Sequence, residues 1–188
     1  TMLLTLSTHR RREPPGLVEL LEACHQRIRH FIGLCKEVAR RGDVPGAAVA
    51  QACADAARYF REALPLHVAD EDDSIFPRLF GLSAAVDDAI ATLRVEHAQQ
   101  EEQVALLLRA LEQVRRQPLD ERSRGQLSAI AVPLEAELEK HLLLEESTIF
   151  PAIRDLLSNE VHRSIVEELR ARRGSSARAI ANTEAKHE

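Results

Sequence analysis

Two stretches of the sequence share one pattern, HVADEDDSIFP at residues 67–77 and HLLLEESTIFP at residues 141–151. Each stretch begins with histidine, has glutamate four residues later, and ends with proline after Ile-Phe. On an α-helix, residues i and i+4 lie on the same face with Cβ atoms about 5–6 Å apart. Each stretch can therefore present an imidazole and a carboxylate to one small volume. The repeat predicts that two helices supply equivalent halves of a single polar site.

Apolar residues recur around these stretches at the spacing of three and four that is typical of amphipathic helices. In the first half of the chain they predict one helix over about residues 16–40 and another over about residues 45–76. In the second half they predict helices over about residues 83–116 and 120–150. Four long helices with short connections predict an all-α fold, an up-down-up-down four-helix bundle.

The same pattern divides the chain into parts. Pro65 and Pro133 lie inside predicted helices, and we expect each to kink its helix because proline has no N–H and its ring crowds the preceding turn. The polar sequence after the fourth helix predicts one short further helix and then a mobile tail. The predicted parts are an N-terminal tail over 1–14, the bundle over 15–157, and the short helix (about 159–172) with the mobile tail over 158–188.

Composition excludes several classes of partner. The net charge is -5, and no basic stripe is interleaved with aromatic residues, so we expect no nucleic-acid partner. No apolar run approaches the roughly 18 residues needed to cross a bilayer. The basic cluster near the start follows a short apolar patch, which is the wrong order for a secretory signal. We expect a cytoplasmic protein without membrane contact, a monomer or a weak dimer, and no protein partner is indicated.

Each of the four long predicted helices carries one histidine on its apolar face or at the start of a His-xxx-Glu pair, and three of these four begin such a pair. Burying so many ionisable groups is unfavourable unless each is paired or binds a cation. A centre with two metal ions satisfies all of them, because carboxylates can bridge the ions while histidines cap them. Mixed imidazole and carboxylate ligands suit iron, and ligand type alone also allows manganese or zinc. The candidate metal ligands are His25, His67, Glu71, His97, Glu101, His141 and Glu145.

Other polar residues have simpler expected roles. The acidic neighbours of the candidate ligands are expected either to accept hydrogen bonds from those ligands or, as the simpler role, to solvate the helices, namely Asp70, Asp72, Asp73 and Glu146. The remaining histidines are expected to face solvent, namely His9, His30, His162 and His187. HExxH and GxSxG are absent from the sequence, so a zinc protease and that class of hydrolase have no support. A metal-free bundle with a structural polar centre remains an alternative.

Taken together, the four histidine-bearing segments resemble the hemerythrin-like, or HHE cation-binding, domain. The resemblance rests on His25, on EHAQQE at residues 96–101, and on the two stretches that share the His-to-Pro pattern. It covers about residues 15–157. The resemblance implies a four-helix bundle that holds a non-haem di-iron centre.

The resemblance also implies how the ligands divide between the two irons. Glu71 and Glu145 would bridge the irons together with an oxo or hydroxo group. The histidines would bind in pairs, one iron taking His25 and His67 and the other taking His97 and His141.

One position departs from the pattern of oxygen-carrying hemerythrins, which have a fifth histidine where this chain has Glu101. A carboxylate there adds negative charge, and it could occupy a coordination position that O2 would need. The expected function is therefore sensing, scavenging or iron handling through reaction with O2, peroxide or nitric oxide, rather than reversible oxygen carriage. The alternatives are a di-iron enzyme such as a peroxide-consuming oxidoreductase, and a metal-free helical interaction module.

Overall fold

A computed structural model describes residues 16–184 of the chain, with side-chain environments for residues 16–175. Every regular element in this part of the chain is helical, which confirms the all-α class. Three short π-helical turns, π1 to π3, interrupt the α-helices. In chain order the elements are α1 (Leu17–Arg40), α2 (Gly46–Arg58), π1 (Tyr59–Ala63), α3 (Leu64–Ala69), π2 (Asp70–Ile75), α4 (Phe76–Leu79), α5 (Ala84–Arg116), α6 (Glu121–Leu144), π3 (Glu145–Ile149), α7 (Phe150–Leu156) and α8 (Asn159–Glu184).

These elements form four long helical segments and a fifth, C-terminal helix. The second segment runs without a break through residues 46–79, and the fourth runs through residues 121–156. α1 packs against α2 and α6, and α5 packs against the same two helices. The four segments therefore enclose one shared interior, while α8 packs outside it against π2 and α1.

Two apolar clusters divide that interior into two layers. One contains Ile28 and Val104 with the buried residues around them, and the other contains Leu21 and Leu93 with theirs. On α1, His25 lies between Leu21 and Ile28, so the histidine level separates the two clusters. Burying one such aliphatic side chain contributes about 1.5–3 kcal/mol. The apolar layers can therefore offset the cost of a buried polar layer between them.

The helix boundaries follow local sequence signals. The carboxylate of Asp120 accepts a hydrogen bond from the backbone N–H of Ser123 at 2.8 Å and caps the start of α6. Between the second and third segments Gly81 has φ of 83°, a left-handed conformation that glycine adopts without strain. No helix among residues 16–184 combines the length and apolar character needed to span a membrane.

Prolines inside the second and fourth segments have two different effects. Pro65 is the second residue after π1, so the disruption expected there takes the form of a wider π turn. Pro133 lies within α6, which continues through it as α-helix and contains no π turn.

The C-terminal helix is longer than expected, because α8 reaches Glu184 rather than ending near residue 172. The polar sequence there predicted a helix end, but two arginines of α8 bind a residue of the second segment. Arg172 and Arg173 both donate to the buried carboxylate of Asp70, which fixes the helix where the end was expected. The tail beyond residue 184 lies outside the described residues.

Candidate metal centre

Histidine and glutamate side chains from all four long segments meet in the layer between the two apolar clusters. They form two groups of four buried residues, and in each group the potential ligand atoms lie within 4.8 Å of one another. Glu71 and Glu145 belong to both groups. The structure thus brings together these predicted candidates: His25 from α1, His67 from α3, Glu71 from π2, His97 from α5, His141 from α6 and Glu145 from π3.

Glu145 stands between the two groups. Its Oε2 lies 2.9 Å from Nε2 of His25, and its Oε1 lies 2.9 Å from Nε2 of His141. Each oxygen of this carboxylate therefore faces a different histidine pair. That is the placement a carboxylate needs if it is to bridge two cations.

Glu71 occupies the equivalent position on the second segment. Its Oε1 lies 3.2 Å from Nε2 of His67, and its Oε2 lies 3.3 Å from Nε2 of His97. Like Glu145, it offers one oxygen to each group. The two copies of the sequence pattern supply the two shared carboxylates.

Most of the converging atoms have no hydrogen-bond partner in the described part of the chain. These buried atoms include Nε2 of His25, His67 and His97. They also include both side-chain oxygens of Glu145 and Oε2 of Glu71. A buried polar atom without a partner is costly, whereas cations at the centre would satisfy all of these atoms at once. The donor set and its burial therefore fit metal ions.

Burial controls the protonation of the histidines. It lowers the pKa of His67 to about 3, so this ring is neutral at physiological pH, as a metal ligand must be. Burial and the nearby His141 likewise lower the pKa of His97. For His141, burial favours the neutral ring, but the carboxylates of Glu145 and Glu96 beside the two ring nitrogens favour the protonated form and raise the pKa.

The two shared carboxylates have opposite protonation tendencies without metal. Burial and the negative charge of Glu145 raise the pKa of Glu71 well above its usual value. Burial acts in the same direction on Glu145, but the close approach of the His141 and His25 rings to its carboxylate outweighs burial and lowers the pKa. Binding of cations would therefore release protons from the centre.

The outward-facing nitrogens of three histidines bind carboxylates. Nδ1 of His25 lies 2.8 Å from Glu146, and Nδ1 of His97 lies 3.2 Å from Asp72. Of the two roles expected for Glu146 and Asp72, these contacts are those of hydrogen-bond acceptors, because each carboxylate faces a histidine of a neighbouring helix. Such contacts orient a metal-bound imidazole and increase its basicity.

The third outward contact was not foreseen from the sequence. Nδ1 of His141 lies 2.9 Å from Oε2 of Glu96. The sequence does contain a signal for these three contacts. Each of the three acids is adjacent in sequence to a histidine or glutamate of the two buried groups. Glu96 precedes His97, while Asp72 and Glu146 directly follow Glu71 and Glu145. Successive helical residues point about 100° apart, which turns the neighbour toward the next helix.

The remaining polar candidates among the described residues lie outside the two groups of potential ligands. Glu101 is exposed and belongs to neither group of potential ligands. Asp73 and His30 are exposed as expected, whereas Asp70 is buried against arginines of α8. His162 is half-buried rather than solvent-facing, and its Nε2 lies 2.8 Å from the carbonyl oxygen of Ile153. His9 and His187 lie outside the described residues.

A π turn accompanies both shared carboxylates, and the proline that ends each copy of the pattern explains it. The backbone N–H of Phe76 donates to the carbonyl of Glu71, and that of Phe150 donates to the carbonyl of Glu145. Each bond spans five residues instead of four. Proline follows one residue later in both copies, and its ring would crowd the tighter α turn. π turns inside α-helices are frequent at functional sites.

We expect Pro151→Ala to weaken metal binding about tenfold, the lower end of the range for residues that support ligands. Alanine has an N–H and no ring, so the turn can relax to α-helix and rotate Glu145 away from its position. A titration of metal-free protein would measure the change. Pro133→Ala is the matched control, because this proline lies in regular α-helix on the exposed side of α6. Equal affinities in both variants would contradict the role given to Pro151.

Comparison with known proteins agrees with this centre. The chain matches the family model for the hemerythrin HHE cation binding domain over residues 16–153. No curated protein matches the sequence. The matched residues include all four long helical segments up to α7 and every residue of the two buried groups. Because the match covers well over half of its length, the chain belongs to the hemerythrin HHE cation-binding domain family.

Proposed function

We propose that the protein holds two non-haem iron ions and reacts with O2, peroxide or nitric oxide, in sensing, scavenging or iron handling. The observation that carries this proposal is the pair of buried groups that share Glu71 and Glu145. One iron would be held by His25 and His67, and the other by His97 and His141. We also propose that the four long segments alternate up and down, which their short connections favour.

The donor chemistry favours iron over other cations. Imidazole with carboxylate is the ligand type of many non-haem iron sites, whereas zinc sites rich in thiolate and magnesium sites rich in oxygen differ from it. Each group offers four protein donor atoms, so positions remain at a six-coordinate ion for a small ligand. Iron bound there would supply the redox chemistry. The protein fixes the rings, supplies two negative charges and excludes water.

The same set of potential ligands makes reversible oxygen carriage unfavourable. The position that carries a fifth histidine in oxygen-carrying hemerythrins is occupied by Glu101, whose side chain is exposed. The centre therefore has four imidazoles and two carboxylates, one imidazole fewer than the oxygen-carrying proteins use. A centre without that fifth imidazole suits sensing or scavenging rather than oxygen carriage.

Metal content and an absorption spectrum of the iron-loaded protein test the proposal. We expect about two irons per chain in the wild type, and a large loss of iron with a changed spectrum in His67→Ala. Glu101→Gln is the control, and we expect it to keep both irons because the residue is exposed. No iron after loading would favour the metal-free interaction module instead. Loss of iron in Glu101→Gln would place that residue among the ligands.

A groove beside the centre favours a peroxide-consuming enzyme as the second candidate. The groove has a volume of about 450 Å³ and is lined by apolar residues such as Phe60, Leu64 and Val104 and by His97 and Asp72. A small substrate could approach the His97 side of the centre through it. Repeated consumption of hydrogen peroxide by iron-loaded protein would support the enzyme, whereas one reaction per centre would support a sensor or scavenger.

A further inference from the structure

The four histidines of the centre are not equally supported. His25, His97 and His141 each have a carboxylate within 3.2 Å of the outward Nδ1. Nδ1 of His67 is buried and has no hydrogen-bond partner among the described residues. One histidine in the centre therefore lacks the contact that its three counterparts have.

Each supporting carboxylate is itself held by a cation. Arg29 donates to Glu146 at 2.8 Å, and Lys140 donates to Glu96 at 3.1 Å. Nε of Arg94 lies 3.5 Å from Asp72. These cations come from α1, α5 and α6, and they restrain the carboxylates from the surface side. A carboxylate restrained in this way holds its imidazole in one orientation.

The two metal positions differ in how many of their histidines have a carboxylate partner. Both histidines of one position, His97 and His141, have a carboxylate partner, whereas the other position has support only at His25. An outer carboxylate fixes the ring, selects the tautomer that binds metal, and raises its basicity, and its loss typically costs 10- to 100-fold in metal affinity. His67 lacks this restraint and donates less charge to a bound ion.

Resting on the proposed two-metal function, we infer that the two positions differ in affinity because His67 lacks a carboxylate partner. The position of His97 and His141 fills first and keeps its ion. The position of His25 and His67 fills second and exchanges its ion more readily. The chain then exists with one ion or two over a range of free metal concentration, which suits a protein that responds to metal supply.

Titration of the metal-free full chain with Co²⁺, followed by its visible absorption bands and by calorimetry, tests the inference. We expect two steps in the wild type, about 10- to 100-fold apart in dissociation constant. Two ions that share carboxylates also repel each other, so two steps alone are insufficient. The inference is decided by which of the two binding steps weakens when each supporting carboxylate is substituted.

Variants of the supporting carboxylates assign the steps. Asp72→Asn and Glu96→Gln are expected to weaken the first step, and the double variant should bring the two steps together. Glu146→Gln is expected to weaken the second step and widen their separation. Glu102→Gln, an exposed glutamate of α5, is the control and should leave both steps unchanged.

The outcomes separate this inference from the proposed function. Equal affinities in the wild type, or a weaker second step in Asp72→Asn and Glu96→Gln, would overturn the inference and leave a two-metal protein. Absence of Co²⁺ binding would overturn both. Retention of the first step alone in His67→Ala, at the wild-type affinity, would support the order of filling.

Discussion

Glu145→Gln is expected to remove both metal ions from the protein and to abolish the stabilisation that metal gives. Glu145 faces His25 with one oxygen and His141 with the other, so the substitution removes a ligand from both positions. Glutamine has nearly the same shape but no charge. The two ions would then be held against each other's repulsion by one remaining carboxylate, that of Glu71.

The expected size follows from linkage between binding and folding. A ligand at a thousandfold its dissociation constant stabilises the native state by about 4 kcal/mol per site. Thermal unfolding with and without added metal measures this effect. We expect a clear rise of the unfolding temperature in the wild type and no metal-dependent rise in Glu145→Gln. Metal analysis of the same samples should give less than one ion per chain in the variant.

Glu137→Gln provides the matched control, because it makes the same substitution on the exposed face of α6. It should keep both ions and the full stabilisation. The bridging role would be wrong if Glu145→Gln kept one ion at the wild-type affinity. That result would mean that Glu145 serves one position only.

The residues of the two buried groups could be predicted from the sequence because helix geometry places them on the inner face of each helix. A histidine and a glutamate four residues apart share a face in any α-helix, and one histidine per helix places the pairs in a common interior. For Glu101, the spacing of four residues is not sufficient to predict its position. It has the same spacing from His97, but α5 is uninterrupted α-helix and residue 107 is leucine rather than proline. The proline six residues beyond Glu71 and Glu145 distinguishes the carboxylates that reach the centre.

Contacts between helices could not be predicted from spacing. Glu96 on α5 binds His141 on α6, and this pairing depends on how the two helices lie against each other. Asp70 poses the same problem, because its partners are about 100 residues later on α8. Periodicity within one helix carries no information on which charged residue of another helix lies opposite.

Removing both arginines that bind Asp70 is expected to destabilise the metal-free protein by about 3–5 kcal/mol, the cost of leaving a buried charge without its partner. Asp70 is 0% exposed, whereas Arg172 and Arg173 are 21% and 38% exposed. Arg173 donates to Oδ2 at 2.6 Å, and Arg172 donates to Oδ1 and to Ser74. Replacing both arginines by methionine keeps the length of the side chains and removes both charges. Urea unfolding of metal-free samples would measure the loss without a contribution from metal binding.

Substituting Asp70 instead of the arginines should reduce the free energy of unfolding by less, because the arginines can turn toward water and Asp70 cannot. Asp70→Asn leaves two partly exposed cations and a buried amide, for which we expect about 1–3 kcal/mol. Combining Asp70→Asn with both methionines should cost less than the sum of the separate losses, and this difference measures the interaction. Arg163→Met with Arg170→Met, on exposed positions of α8, should be nearly neutral. If Asp70→Asn proved as costly as the loss of both arginines, the asymmetry of burial would not govern this contact, and the attachment of α8 to the segment that carries Glu71 would need another explanation.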